Sequence, residues 1–356
     1  MKLVALPRAY LGTMTFAWSS QTSSIVDEPV AIEMVKRFTQ FNGELGVDNH
    51  LIDTARVYAG GKTEPMVGQV LKKVGLISGK FLVGTKAHPS VKPGLSVEGI
   101  NEQLNTSLHE MQLSSVGEYY LHQPDTENSL LDSLICAHAL VSEGKISEIG
   151  LSNYHASEVA RAFELCQEHK LTPPTVYQGL YNPLNRLVED QLIPILKQNG
   201  CSFVAYNPLA AGLLSGKHKS SSKFTPGRFK NNENYIPRFY TDANFKAVDL
   251  IRKQCEKDGI SMVEATYRWL LCHSALDEND GLLVGASSLQ QLDQNLQAYM
   301  AASQKGDLSK ELLIVFDECN QLTKPCAFPY WRSYSSDMPD RESLDPGASY
   351  NAAKTK

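Results

Sequence analysis

The sequence predicts an α/β fold, a (β/α)8 TIM barrel, and three observations carry the prediction. Eight short apolar, strand-like runs alternate with longer segments of helical period. That alternation means βαβ units and a parallel sheet. Seven of the eight runs end in polar residues that a barrel interior would not hold, and the carboxyl ends of all barrel strands meet at one face. The chain has 356 residues, more than the roughly 250 of a plain barrel, and the surplus can be placed.

The strand-like runs are AYLGTM (9–14), HLID (50–53), KFLVGTK (80–86), GEYYLH (117–122), SEIGLSN (147–153), PTVYQ (174–178), CSFVAY (201–206) and GLLVGAS (281–287). Between them, 157–170 sets Val159, Phe163 and Cys166 on one stripe. Segments 127–145 and 189–200 behave alike, the latter closing on Asn199-Gly200, a helix stop. The surplus falls in an extended loop after the seventh run, 216–243, rich in Lys, Ser, Asn and Pro, and beyond about residue 303. One domain is expected over 1–333. A polar tail rich in Pro and Gly, 334–356, is expected to be disordered.

Composition excludes several classes. The net charge of −5 carries no global basic field for nucleic acid or anionic lipid. Seven scattered cysteines form no CxxC pair and no zinc or disulfide spacing. No metal is expected, and a reducing, cytoplasmic setting is. No apolar run approaches the roughly 18 residues of a membrane span. No G-x-G-x-x-G follows a strand-like run, and GLLSGKH (212–218) is one residue short of a phosphate loop and ends in His.

The strand ends concentrate chemistry. The second run ends at Asp53, the third at Lys86 and the fourth at His122, with Tyr58 just beyond the second. Each alone is ordinary, since a strand-end Asp is commonly a turn or cap residue. Together they place an acid, a base and an imidazole on consecutive strand ends. A phenol has a pKa near ~10 and donates its proton slowly at neutral pH. A neighbouring ammonium favours the phenolate. Lys86 can supply that charge, Asp53 can keep Lys86 charged, and His122 can orient a substrate oxygen.

Protonating a carbonyl oxygen is half of a reduction, and no side chain supplies hydride. Ser152, Asn153 and Gln178 offer partners for a nicotinamide carboxamide, and Tyr206 offers a stacking face. The loop after the seventh run holds Lys217, Lys219, Lys223, Arg228, Lys230 and Arg238 against one acid, Glu233. Such a patch suits a pyrophosphate and a 2′-phosphate. GASSLQQLDQN (285–295) is a turn into a helix, whose N-terminus suits phosphate.

At this point the chain resembles the aldo-keto reductases, and within them the aflatoxin-aldehyde reductase subfamily. The motifs are DTARVY (53–58), GTKAHP (84–89), YYLHQPD (119–125), GKISEIGLSNY (144–154), YQGLYNPLNR (177–186), NPLAAGLLSGK (207–217), GRF (227–229) and GASSLQQLDQN (285–295). The resemblance implies NADPH-dependent reduction of aldehydes and some ketones, including acidic or dicarbonyl aldehydes. It implies the tetrad Asp53, Tyr58, Lys86 and His122, with Tyr58 as general acid. Ser152, Asn153 and Gln178 match the nicotinamide contacts. Tyr206, Asn207, Leu209, Gly212, Lys217, Arg228, Gly285, Ser287, Ser288, Gln291, Gln294 and Asn295 match the rest of the cofactor site. Tyr235, Arg238 and Arg332 match substrate-holding positions beside His122. GGKTE (60–64) departs from the family's shorter Gly-Ser-Glu signal. A small-molecule carbonyl substrate is expected, with no nucleic acid or membrane partner, from a monomer or homodimer. The alternative implied is an NADPH-binding regulatory subunit of the potassium-channel β type.

Overall fold

A computed structural model describes residues 6–18, 25–75, 81–218 and 236–348. Eight parallel strands close on themselves in chain order. They are β1 (Arg8–Gly12), β2 (His50–Asp53), β3 (Phe81–Ala87), β4 (Val116–Leu121), β5 (Ile146–Ser152), β6 (Val176–Leu180), β7 (Ser202–Tyr206) and β8 (Gly281–Gly285). Gly12 pairs with Asp53 on one side and Gly285 on the other, which seals the barrel. Each expected run overlaps one of these strands.

Strand alternation decides what lies inside. Tyr10, Leu51, Tyr120, Val176, Val204 and Leu283 form the apolar interior. Two residues further along the same six strands come Gly12, Asp53, His122, Gln178, Tyr206 and Gly285, at the carboxyl mouth. The interior is tightly filled. A Cβ on Gly150 would lie 2.3 Å from the Tyr120 ring, and one on Gly281 would lie 2.5 Å from the Tyr10 ring. Both tyrosine hydroxyls donate to the buried Glu118 carboxylate, at 2.8 Å from Tyr10 and 2.6 Å from Tyr120.

Outside the sheet lies the larger core, shared with the helices. The helices are α1 (Glu28–Glu44), α2 (Thr63–Val74), α3 (Val97–Met111), α4 (Leu130–Ser142), α5 (Ala156–His169), α6 (Leu192–Gln198), α7 (Ile236–Phe239), α8 (Asp242–Asp258), α9 (Met262–Cys272), α10 (Leu289–Lys305) and α11 (Lys310–Thr323). Consecutive helices α1 to α6 pack side by side, α9 packs on α10, and α10 returns to α1. Helices α8 and α11 pack on each other and account for much of the surplus length. Many helices start on a short polar cap, such as Asp27, Ser96, Ser129, Ser261, Ser288 and Ser309. In the extended loop, residues 219–235 lie outside the described residues.

The described chain continues through 334–348, past the boundary expected at 333. Tyr334, Ser335 and Ala348 are buried there. Polar composition here serves capping rather than solvation. Asp337 accepts from the Leu130 amide at 2.8 Å and from Arg161 at 2.8 Å, so it caps α4 from outside. The Ser335 amide donates to Glu158 at 2.8 Å. Residues 349–356 lie outside the described residues.

Candidate active site

Four side chains gather at the carboxyl mouth. Lys86 is wholly buried, and its ammonium donates to Asp53 Oδ2 at 2.5 Å and to the Thr54 carbonyl at 2.7 Å. The same Asp53 oxygen accepts from Gln178 Nε2 at 2.8 Å. The buried ion pair therefore has the extra hydrogen bonds that such pairs need. The ammonium lies 5.4 Å from the centre of the Tyr58 ring and 5.3 Å from that of Tyr120. Tyr120 floors the site from within the barrel.

Tyr58 opens a tight turn, Tyr58–Gly61, with Ala59 and Gly60 in the left-handed region. This is the GGKTE departure made concrete. A brace holds the turn. Arg56 donates to Glu64 at 2.9 Å, and the wholly buried Glu64 also accepts from Thr85 at 2.7 Å. Thr85 precedes Lys86, so the brace ties the phenol's turn to the ammonium's strand.

His122 meets the Tyr58 ring edge to face, with centroids 6.0 Å apart. Burial first, then the charges around it, push its pKa well below the ordinary value, so it is neutral at pH 7. Its carbonyl accepts from Asn153 Nδ2 at 2.8 Å.

The expected cofactor residues lie on the β5 to β8 side. Ser152, Asn153 and Gln178 are buried. Asn153 is left-handed, with φ 62°, and its side-chain oxygen Oδ1 accepts from the Tyr206 hydroxyl at 2.8 Å. Gln178 is drawn to Asp53, a tie the sequence reading did not contain. Asn207 and Gly212 also have positive φ, in the turn that carries Leu209. Beyond β8, Ser288 caps α10, the Ser287 amide donates to Gln291 at 3.0 Å, and Asn295 donates to the Gly285 carbonyl at 3.1 Å. Lys217 and Gln294 line one cavity of about 560 Å³ between this helix and α9.

The expected substrate residues divide. Arg332 lies at the His122 side of the mouth, where its amide donates to the Asn153 carbonyl at 2.9 Å and Nη1 donates to Gln123 at 3.0 Å. Arg238 is buried, with its guanidinium 4.5 Å from the Phe328 ring centre. Tyr235 and Arg228 lie outside the described residues.

A profile of the Aldo/keto reductase family matches residues 9–310. The chain belongs to the aldo/keto reductase family. Mouse "Aflatoxin B1 aldehyde reductase member 2" is 39% identical over 290 residues, 77% of each chain. Human "Aldo-keto reductase family 7 member A3" is 38% identical over 279 residues, 75% of this chain and 83% of that one. "Oxidoreductase sirO" of Leptosphaeria maculans is 30% identical over 313 residues, 86% of this chain and 92% of that one. Membership makes this chain an oxidoreductase. Among the described residues of this aldo/keto reductase, no helix is long and apolar enough to cross a membrane.

Several neighbours of this reductase mouth escaped the sequence reading. The Thr54 carbonyl and the Glu64 brace leave no side-chain pattern to read. His88 did leave one, because it stands two residues beyond Lys86 and so faces the same way.

Proposed function

We propose that this chain reduces aldehydes, and some ketones, to alcohols with NADPH, and that Tyr58 is the general acid. The observation carrying the proposal is the convergence of Asp53, Tyr58, Lys86 and His122 at one strand-end mouth. The residues present fit the cofactor: Ser152 and Asn153 are buried polar side chains at the mouth, and Tyr206, whose hydroxyl donates to Asn153 Oδ1, sets its ring beside them. They would hold a nicotinamide, while the Lys217 turn, Arg228 and the start of α10 would hold its phosphates. NADPH, when bound, supplies the hydride.

The chain's own residues do the rest. The Tyr58 hydroxyl gives its proton to the carbonyl oxygen, and the phenolate left behind is stabilised by the Lys86 ammonium. Asp53 holds that ammonium in place. His122, being neutral, offers a ring N–H to the substrate oxygen and fixes its direction. Arg332 takes an acidic group at the far end of the substrate. The buried walls exclude water from the transfer.

Tyr58→Phe tests this reading. NADPH consumption with 4-nitrobenzaldehyde should fall by about 10² or more, while quenching of protein fluorescence by NADPH persists. Normal turnover in that variant would remove Tyr58 as the acid. Tight NADPH binding with negligible turnover of any aldehyde by the unaltered chain would favour the regulatory-subunit alternative.

A further inference from the structure

Lys86 and Tyr120 are direct partners across β3 and β4, and Gly84 partners Glu118 in the same register. The two-residue period of the strands therefore turns Glu118 and Tyr120 to the side that carries Lys86. Both are buried, and the tetrad uses neither. Two glycines on the flanking strands make room for them. A Cβ on Gly84 would lie 3.1 Å from Glu118 Oε2, and the Tyr120 ring fills the space of the missing Cβ on Gly150, its partner in β5.

The ring is fixed at its hydroxyl as well. Tyr120 donates to Glu118 Oε2 at 2.6 Å, while Tyr10 donates to Oε1 at 2.8 Å. Burial first, then the Glu118 charge, push the Tyr120 pKa well above its ordinary value, so the ring stays a neutral phenol. A phenol that donates to a carboxylate gains electron density on its face, and such a face attracts a cation more strongly. The cation here is the Lys86 ammonium, 5.3 Å from the ring centre. It rides on a long, flexible stem. Its hydrogen bonds to Asp53 and to the Thr54 carbonyl run to adjacent residues and hold it from the β2 side. The Tyr120 ring holds it from the β4 side, with the Tyr58 ring centre 5.4 Å away. Tyr10 has a different cation, the Arg8 guanidinium, 5.8 Å from its ring centre at the start of β1.

We propose that Tyr120 and Glu118 are positioning residues for the reduction: Glu118 fixes and enriches the Tyr120 ring, and the ring holds the Lys86 ammonium where it serves Tyr58. This rests on the reading of Tyr58 as general acid. Both residues act through Lys86, so their loss slows proton transfer and leaves binding alone.

The test compares Tyr120→Phe, Glu118→Gln and Tyr10→Phe, which all keep side-chain size. The single-turnover rate of NADPH oxidation by 4-nitrobenzaldehyde is read beside KM, so that product release does not mask the step. Tyr120→Phe and Tyr10→Phe each take one donor from the same carboxylate, but only the first alters the ring beside Lys86. The rate should fall about fivefold in Tyr120→Phe and in Glu118→Gln, with KM and fluorescence quenching by NADPH unchanged, and should hold in Tyr10→Phe. The double variant Tyr120→Phe/Glu118→Gln should be no slower than either single one, because both act through one hydrogen bond. Putting 3,5-difluorophenylalanine at position 120 keeps the shape of Tyr120→Phe and drains the ring face. That should cost about threefold more, a loss that packing alone would not produce. Equal losses in Tyr120→Phe and Tyr10→Phe, or a difluorinated ring as fast as the plain one, would overturn the proposal. So would full rates in the Tyr120 and Glu118 variants beside an inactive Tyr58→Phe. Normal turnover in Tyr58→Phe would instead remove the general-acid reading beneath it.

Discussion

Lys86 and Asp53 meet at 2.5 Å with almost no solvent around either side chain. In such a place, removing one partner leaves an uncompensated charge, which costs about 3–5 kcal/mol. Asp53→Ala should therefore lower stability by about that amount, read as a fall in the urea midpoint at unchanged slope. Asp53→Asn keeps the shape and a carbonyl acceptor, so it should fold better and still lose kcat by about 10². A catalytically normal Asp53→Asn would mean that the pair only holds the barrel together.

Strand alternation made Asp53, Lys86 and His122 legible, because a side-chain period of two turns each strand-end residue to a known side. The partners that fix them were not legible. Gln178 was read as a cofactor contact, and nothing local shows that it reaches an oxygen 125 positions earlier in the chain. Arg161 and Leu130 recruit Asp337 across 176 and 207 positions. That pairing turns a polar segment, indistinguishable by composition from a solvated tail, into part of the fold. His88 stands inside the GTKAHP motif (84–89), yet its edge-to-face contact with His122 arises only when β3 and β4 pair.

Glu64 joins the Tyr58 turn to β3, so it should matter for rate more than for the survival of the fold. Arg56, its ionic partner, is one-fifth exposed, which dilutes the pair's worth. Glu64→Gln keeps an acceptor for Thr85 and loses the charge that holds Arg56. We expect about 1–2 kcal/mol of lost stability and a drop in kcat of about tenfold, with NADPH affinity little changed. Equal loss in kcat and in NADPH binding would point to a collapsed mouth instead of a displaced phenol.

Asp337 caps α4 from a segment remote in sequence. Asp337→Ala removes the acceptor for the Leu130 amide and strands the partly buried Arg161. Loss of about 1–2 kcal/mol is expected, in the range of an N-cap plus a shielded ion pair. Cutting the chain after Ser333 also deletes the Ser335 contact with Glu158 and the Gly347 bridge to Arg332. That truncation should destabilise further and weaken 4-carboxybenzaldehyde more than 4-nitrobenzaldehyde. An unchanged melting temperature on truncation would show that 334–348 adds nothing to the fold.

Glu158 gives stability a pH dependence of definite sign. Burial raises its carboxyl to about 7, against contacts from Ser335 and the charge of Arg161, which lower it. Its ordinary value is 4.5, so between these limits the folded chain holds a proton that the unfolded chain has released. Stability from this group is complete below about pH 4.5 and is lost as pH rises to about 7, on the order of 3 kcal/mol in all. His88 acts oppositely. Burial and then the Arg332 charge lower it from 6.5 to about 4, so its contribution is complete above pH 6.5 and is lost on acidification. The two slopes overlap in the wild-type chain and partly cancel. The difference between wild type and Glu158→Gln isolates the carboxyl, because the amide oxygen still accepts from the Ser335 N–H. Thermal melts from pH 5 to pH 8 should show the variant gaining on wild type as pH rises. Parallel curves across that range would place the Glu158 proton outside the window and remove the effect.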